Sequence, residues 1–158
     1  MSTRDVELMR LAIEQAERAR AIDEVPVGCV IEHAPSGRII GAGHNQRQRL
    51  RDPLAHAELL AIRQAADTLG DWRLLDCTLV VTLEPCPMCA GAIVNARIPR
   101  LVFGCPDPKA GAVETLYRIC TDERLNHRVQ VAGGVLSATC AALLRDFFRV
   151  KRDRDNTD

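Results

Sequence analysis

The chain has 158 residues, 47% of them hydrophobic, with 21 basic and 21 acidic side chains. That length suits one domain able to bury a core without disulfides, and the zero formal charge excludes a global field drawing the protein to nucleic acid, so such binding must rest on a local patch. No run of about 18 apolar residues is available to span a membrane, and Met1-Ser2-Thr3-Arg4-Asp5 lacks the basic-then-apolar order of a secretion signal; the expectation is a soluble, cytoplasmic protein.

From the N-terminus, Val6, Met9, Ile13 and Ala16 recur on one face and predict a helix over residues 3–20. The apolar, β-branched runs 27–31 and 38–42 flank Pro35-Ser36-Gly37 and predict a hairpin. Asp52-Pro53 precedes a helical stretch from Ala55 to Leu69, which Gly70 closes in the position that favours a left-handed cap. Thr78 to Leu83 is nearly all apolar or β-branched, as in a strand covered on both faces. A helix opening around Pro87 and ending before Pro99, then a strand at Leu101-Val102-Phe103, implies a parallel pair with a right-handed crossover. A short strand at 129–131 and a helix from Ala138 to Val150 close the domain. The expected architecture is a single α/β domain over residues 1–151, a sheet of about five strands with helices on both faces. Residues 152–158 read as a frayed polar tail.

The chemistry concentrates in His56-Ala57-Glu58 and Pro85-Cys86-Pro87-Met88-Cys89. One imidazole and two thiolates are the ligand set of a catalytic zinc site, which keeps its fourth position open, whereas a structural site closes with a fourth Cys or His. Residues two apart point about 200° away from each other on a helix, so His56 and Glu58 cannot address one place from mid-helix; His56 is expected at the helix mouth. Cys86 and Cys89, three apart, share a face of a first helical turn. Free N–H groups and the positive end of the dipole at such positions favour thiolate and hydroxide. Glu58 is the expected proton carrier, with Glu84 a rival carboxylate at a strand end. The order of these motifs is a zinc-deaminase signature. The remaining cysteines, Cys29, Cys77, Cys105, Cys120 and Cys140, are expected to be structural, as the odd total and irregular spacing do not suggest a disulfide framework.

Beyond the zinc motifs, the chain resembles the bacterial tRNA-specific adenosine deaminases, within the cytidine deaminase-like superfamily. The resemblance runs through Val25-Pro26-Val27-Gly28, Asp52-Pro53, Val81 to Cys86, Ala90-Gly91-Ala92-Ile93, Phe103-Gly104 with Asp107 and Lys109, Asn126-His127-Arg128-Val129, and Leu143-Leu144 to Phe147-Phe148-Arg149. It implies a three-layer α/β/α fold with a mixed sheet and hydrolytic conversion of adenosine to inosine at the tRNA wobble position. One Zn²⁺ per subunit is implied, held by His56, Cys86 and Cys89, with Glu58 shuttling protons. It further implies that Asn45 hydrogen-bonds the flipped base, that Asp107 lies near the neighbouring ribose, and that the protein is a homodimer acting on the tRNA anticodon loop. Cys29, Cys105 and the prolines Pro106 and Pro108 flanking Asp107 depart from the family's usual residues.

The stretch containing Arg145, Phe147, Phe148, Arg149, Lys151, Arg152 and Arg154 alternates cations with aromatics, which suits phosphate and base contact and makes Phe148, Arg149 and Arg152 candidate substrate residues. Leu143, Leu144, Phe147 and Phe148 also have the spacing of a buried helical face. Two other functions use the same zinc motifs: deamination of free guanine, cytosine or a nucleoside, and a noncatalytic zinc or RNA-binding module.

Overall fold

The computed structural model describes residues 1–157, so Asp158, the end of the expected tail, lies outside the described residues. Helix α1 (Thr3–Ala21) starts on a reciprocal cap: Ser2 Oγ accepts from the Asp5 N–H at 3.0 Å, and the Asp5 carboxylate accepts from the Ser2 N–H at 3.3 Å. Strands β1 (Gly28–His33) and β2 (Arg38–His44) form the expected antiparallel hairpin, closed where Gly37 takes φ of 67°, and both run further than their apolar runs alone indicate. After a short helix α2 (Arg47–Leu50) come α3 (Ala57–Leu69), β3 (Cys77–Leu83), α4 (Pro87–Asn95), β4 (Arg100–Cys105), a 3-10 turn (Ile119–Thr121), β5 (Gln130–Ala132) and α5 (Ser137–Asp155).

The sheet order is β2-β1-β3-β4-β5, with β1 antiparallel to both neighbours and β3, β4 and β5 parallel. Period-2 alternation divides the central strands between two cores. Ile31, Leu79, Val81 and Leu101 face Ala57, Ala61, Ala90 and Ile93 of α3 and α4, whereas Val30, Val80 and Val102 face Leu8, Met9 and Ala12 of α1 and Cys140 of α5. This is the three-layer arrangement with a mixed sheet. Close helix–sheet approach depends on small residues: a Cβ at Gly28 would collide with the backbone of Ala12 and Ala16, and one at Gly41 with that of Ala61. The five cysteines outside the motifs are free and buried, as expected of small apolar packing groups. Among the described residues no helix is long and apolar enough to cross a membrane.

The expected frayed tail is corrected: α5 continues through Asp155, its ladder extended by the Asn156 N–H donating to Arg152 O. Arg154 Nη2 also reaches Asp23 Oδ1 at 2.8 Å, anchoring that end of the helix beside the end of α1, a partner remote in sequence. Helix α2 is absent from the sequence expectation for a related reason. Its exposed residues carry no apolar periodicity, and its free N–H groups are capped from afar: the buried Glu24 carboxylate accepts from Gln48 at 3.0 Å and from Arg49 at 3.3 Å.

Asp5 also joins α1 to the sheet, since Arg100 at the start of β4 donates to its oxygens at 2.7 and 2.9 Å. The Arg100 guanidinium, against the opposing effect of burial and with help from the Ser2 N–H, holds the Asp5 carboxyl down to about 2. A depressed carboxyl stabilises the fold fully above its unfolded value near 4, and that contribution disappears as pH falls toward 2. Asp5→Asn is therefore expected to lower the unfolding free energy by about 2 kcal/mol at neutral pH. Urea denaturation across the acid range checks this: the variant's stability should fall less steeply than the parent's between about pH 4 and about pH 2.

Candidate active site

Three segments meet at the carboxyl end of β3. His56 is the N-cap of α3, with extended backbone at φ −77° and ψ 150°, and Cys86 is the N-cap of α4, at φ −74° and ψ 174°. The helix expected from Ala55 thus begins at Ala57, because Ala55 and His56 are held in a turn by bonds to Asp52 O and Leu54 O. Pro87 occupies the first position of α4, where a missing N–H costs nothing and its fixed φ suits the helix. The extended His56 escapes the 200° relation that would separate it from Glu58 inside a helix.

The result is a compact donor set. His56 Nδ1 lies 3.7 Å from Cys86 Sγ and 3.5 Å from Cys89 Sγ, and the three donor atoms all lie within 4.8 Å of one another. A tetrahedral zinc with Zn–S near ~2.3 Å and Zn–N near ~2.0 Å separates sulfur from nitrogen by about 3.5 Å. The donors present, two sulfurs and one imidazole nitrogen at that spacing, fit zinc and leave one corner open toward the cleft.

Electrostatics favour the same outcome. The Cys86 thiol is pulled down to about 4, first by the Cys89 side chain beside it, then by His56 and the Cys89 N–H, against the effect of burial. Cys89 is driven strongly upward by its anionic neighbour and by burial. Two adjacent thiols cannot both ionise cheaply alone, and a divalent cation removes that conflict. Glu58 is 4% exposed, and burial pushes its carboxyl above the ordinary range.

Asn45, Arg47, Glu58, Leu83 and Asp107 line a cleft of about 210 Å³ beside the donor set. This is below the ~300–1,000 Å³ of drug-sized sites and admits a single small ring system. Asn45 is fixed at both ends, Nδ2 donating to Val25 O at 3.2 Å and Oδ1 accepting from the Arg47 N–H at 3.1 Å. Asp107 Oδ1 accepts from the Lys109 and Ala110 N–H groups at 2.9 and 3.2 Å. Val25, Leu83 and Asp107 also line a wider groove of about 840 Å³, whose far wall is Arg145, Phe148, Arg149 and Arg152 of α5. The two phenylalanines divide: Phe147 is 5% exposed and packs inward, while Phe148, 40% exposed, faces the groove. The sequence-predicted residues therefore fall into a zinc-proximal group and a groove group that share Asp107.

One feature escaped the sequence. Helix α2 places exposed Arg47 at the cleft rim. Glu84, the rival carboxylate, is 1% exposed and surrounded by backbone donors. Burial alone would raise its carboxyl, but the Thr115 hydroxyl and the Glu114 and Asp107 amides outweigh that and hold it low. A carboxylate saturated in this way is a poor proton carrier.

Cys86→Ala removes one sulfur and the anion between the helix ends. The purified variant is expected to carry well under one zinc per chain by atomic emission, against one for the unaltered protein; full occupancy would show that another donor completes the set.

Residues 2–105 match the cytidine and deoxycytidylate deaminase zinc-binding region. A tRNA-specific adenosine deaminase of Streptococcus pyogenes serotype M1 is 51% identical over 146 residues, covering 92% of this chain and 84% of that protein. One from Bacillus subtilis strain 168 is 45% identical over 152 residues, covering 96% and 93%. A solved structure described under biochemical and structural studies of A-to-I editing by tRNA:A34 deaminases superposes with a TM-score of 0.83 at 43% identity, covering 87% of this chain and 99% of its own. With its His and Cys donors inside the matched region and gathered at two helix mouths, this chain belongs to the cytidine and deoxycytidylate deaminase zinc-binding family.

Proposed function

We propose that this protein is a zinc-dependent hydrolase that converts adenosine to inosine at the wobble position of tRNA and releases ammonia. The observation that carries the reading is the continuity of a ring-sized cleft, holding the donor set and Glu58, with a groove walled by arginines and Phe148. The relatives named for tRNA-specific adenosine deamination support it. A free base or nucleoside would need only the cleft, so the groove favours a polynucleotide.

His56, Cys86 and Cys89 would hold Zn²⁺, which supplies, when bound, a water acidic enough to act as nucleophile near neutral pH. Glu58 takes the proton of the attacking water as its oxygen bonds to adenine C6, and passes a proton to the ring nitrogen N1. It then takes the proton of the new C6 hydroxyl and delivers it to the exocyclic amine, so that the C6–N6 bond breaks, the C6 carbonyl forms and ammonia leaves. Burial of Glu58 keeps bulk water from competing for these transfers. Asn45, locked by its two backbone partners, orients the base edge. The second Asp107 oxygen, Oδ2, makes no hydrogen bond to another described residue, which supports its acceptance of a hydrogen bond from the neighbouring ribose. Phe148, Arg149 and Arg152 receive the flanking bases and phosphates. Arg149 is exposed and only loosely paired with Asp146, at 3.4 Å, so its guanidinium can turn to a phosphate. The target base must leave its stack to reach C6, a small cost in a single-stranded anticodon loop.

The enzyme acts in the cytoplasm, where its tRNA substrate resides, as a homodimer. Exposed Leu116, Tyr117 and Leu125 on the segment after β4 support pairing with a second copy.

Incubation of zinc-loaded protein with tRNA bearing adenosine at the wobble position should yield inosine, while guanine, cytosine and cytidine remain unchanged; turnover of a free base alone would overturn the RNA reading. Glu58→Ala should keep its zinc and lose kcat by about 10²–10⁴-fold, measured on the same tRNA beside metal analysis. Arg149→Ala with Arg152→Ala should weaken tRNA binding, and the slope of log K against log salt should become shallower by about 0.7 for each lost phosphate contact. An unchanged slope would confine both arginines to packing.

A further inference from the structure

Glu84 sits at the end of β3, two residues before Cys86, and is 1% exposed. Its acceptors are fully engaged by one irregular loop. Oε1 takes the Asp107 N–H at 3.1 Å and the Thr115 hydroxyl, while Oε2 takes the N–H groups of Val113, Glu114 and Thr115 at 3.1, 2.9 and 3.0 Å. A carboxylate offers about four lone-pair sites, so these five donors leave none for substrate.

The loop between β4 and the 3-10 turn has no strand partner, and its buried amides need acceptors from elsewhere. Glu84 supplies them, and Pro85 O takes the Ala112 N–H at 2.9 Å. The wrapping is tight: a Cβ on Gly111 would stand 2.5 Å from Glu84 Cδ and Oε1 and 2.6 Å from Asp107 O. One of the five donors is the backbone of Asp107, a residue shared by cleft and groove.

We infer that Glu84 is a positioning residue that binds the 107–115 loop to the strand leading into Cys86, and so sets where the Asp107 carboxylate meets the substrate. This rests on the RNA reading of the site for its consequence in turnover, but the brace itself does not depend on substrate. It also explains why a second carboxylate lies so close to the metal ligands without serving as a proton carrier.

The test uses Glu84→Gln, which keeps the side-chain size but turns an NH₂ toward N–H donors, and Gly111→Ala, which crowds the same contact from the loop side. Both are compared with Asp107→Ala and with the Glu84→Gln/Asp107→Ala double variant. The readouts are zinc content, amide hydrogen exchange over residues 107–115, and kcat and KM on wobble-adenosine tRNA. Expected are one zinc per chain, faster loop exchange, KM raised about tenfold or more with kcat within about threefold, and a double variant no worse than Asp107→Ala alone. Loss of zinc with fallen kcat at unchanged KM would overturn the inference, making Glu84 a support of the metal ligands. Multiplying effects of Glu84→Gln and Asp107→Ala would overturn it as well. Faster loop exchange in both variants, with an unaltered protein inactive on tRNA, would support the brace and retire the RNA reading instead.

Discussion

Two helices that aim their N-termini at one point place partial positive charges against each other, and that convergence is stable only with anionic groups between them. Here α3 and α4 do so at the carboxyl end of β3, with His56 and Cys86 as their caps. The Cys86 thiol, drawn down to about 4, supplies charge of the needed sign. Much else follows from holding these two helix mouths together. The crossover from β3 through α4 to parallel β4 fixes α4, and the β1–β2 hairpin beside β3 carries α3 on the same face. The small residues of that face, Gly41 and Gly43 against Ala57 and Ala61, let α3 lie close enough for His56 to reach the sulfurs.

The site contains two buried carboxylates with opposite surroundings, and the contrast separates their roles. Glu58 is held in apolar burial with few donors, so its proton affinity rises. Glu84 is equally inaccessible yet ringed by amides, so its proton affinity falls. The contrast underlies the proposal that the first moves protons, and the second is spent on the amides of a loop. Burial alone distinguishes neither, since only the number of hydrogen-bond donors decides which form the protein stabilises.

The same distinction between local and remote partners governs what was legible beforehand. Periodicity located the principal helices and strands to within a few residues, and the 200° relation of His56 to Glu58 anticipated an extended N-cap. Helix α2 was not legible, since its cap, Glu24, lies more than twenty residues earlier in the chain. The last turns of α5 look like a polar tail because Asp23, their partner, is 131 residues away from Arg154. Leu143, Leu144, Phe147 and Phe148 could all belong to one apolar face, and only tertiary packing sorted Phe147 inward, near the end of α1, and Phe148 toward the groove.

By itself the sequence determined the chemistry, because ligand type and short spacing are properties of a few adjacent residues: one imidazole, two thiolates a helical turn apart, and a carboxylate beside them. It also determined the layered α/β class, through the alternation of 2.0 and 3.6 periods. Tertiary structure alone decided the strand order, the cleft's junction with the α5 groove, and the assignment of Glu84 to the 107–115 loop. Each of these depends on contacts between segments far apart in the chain, which leave no periodic mark in either segment and are set by which surfaces can be buried together.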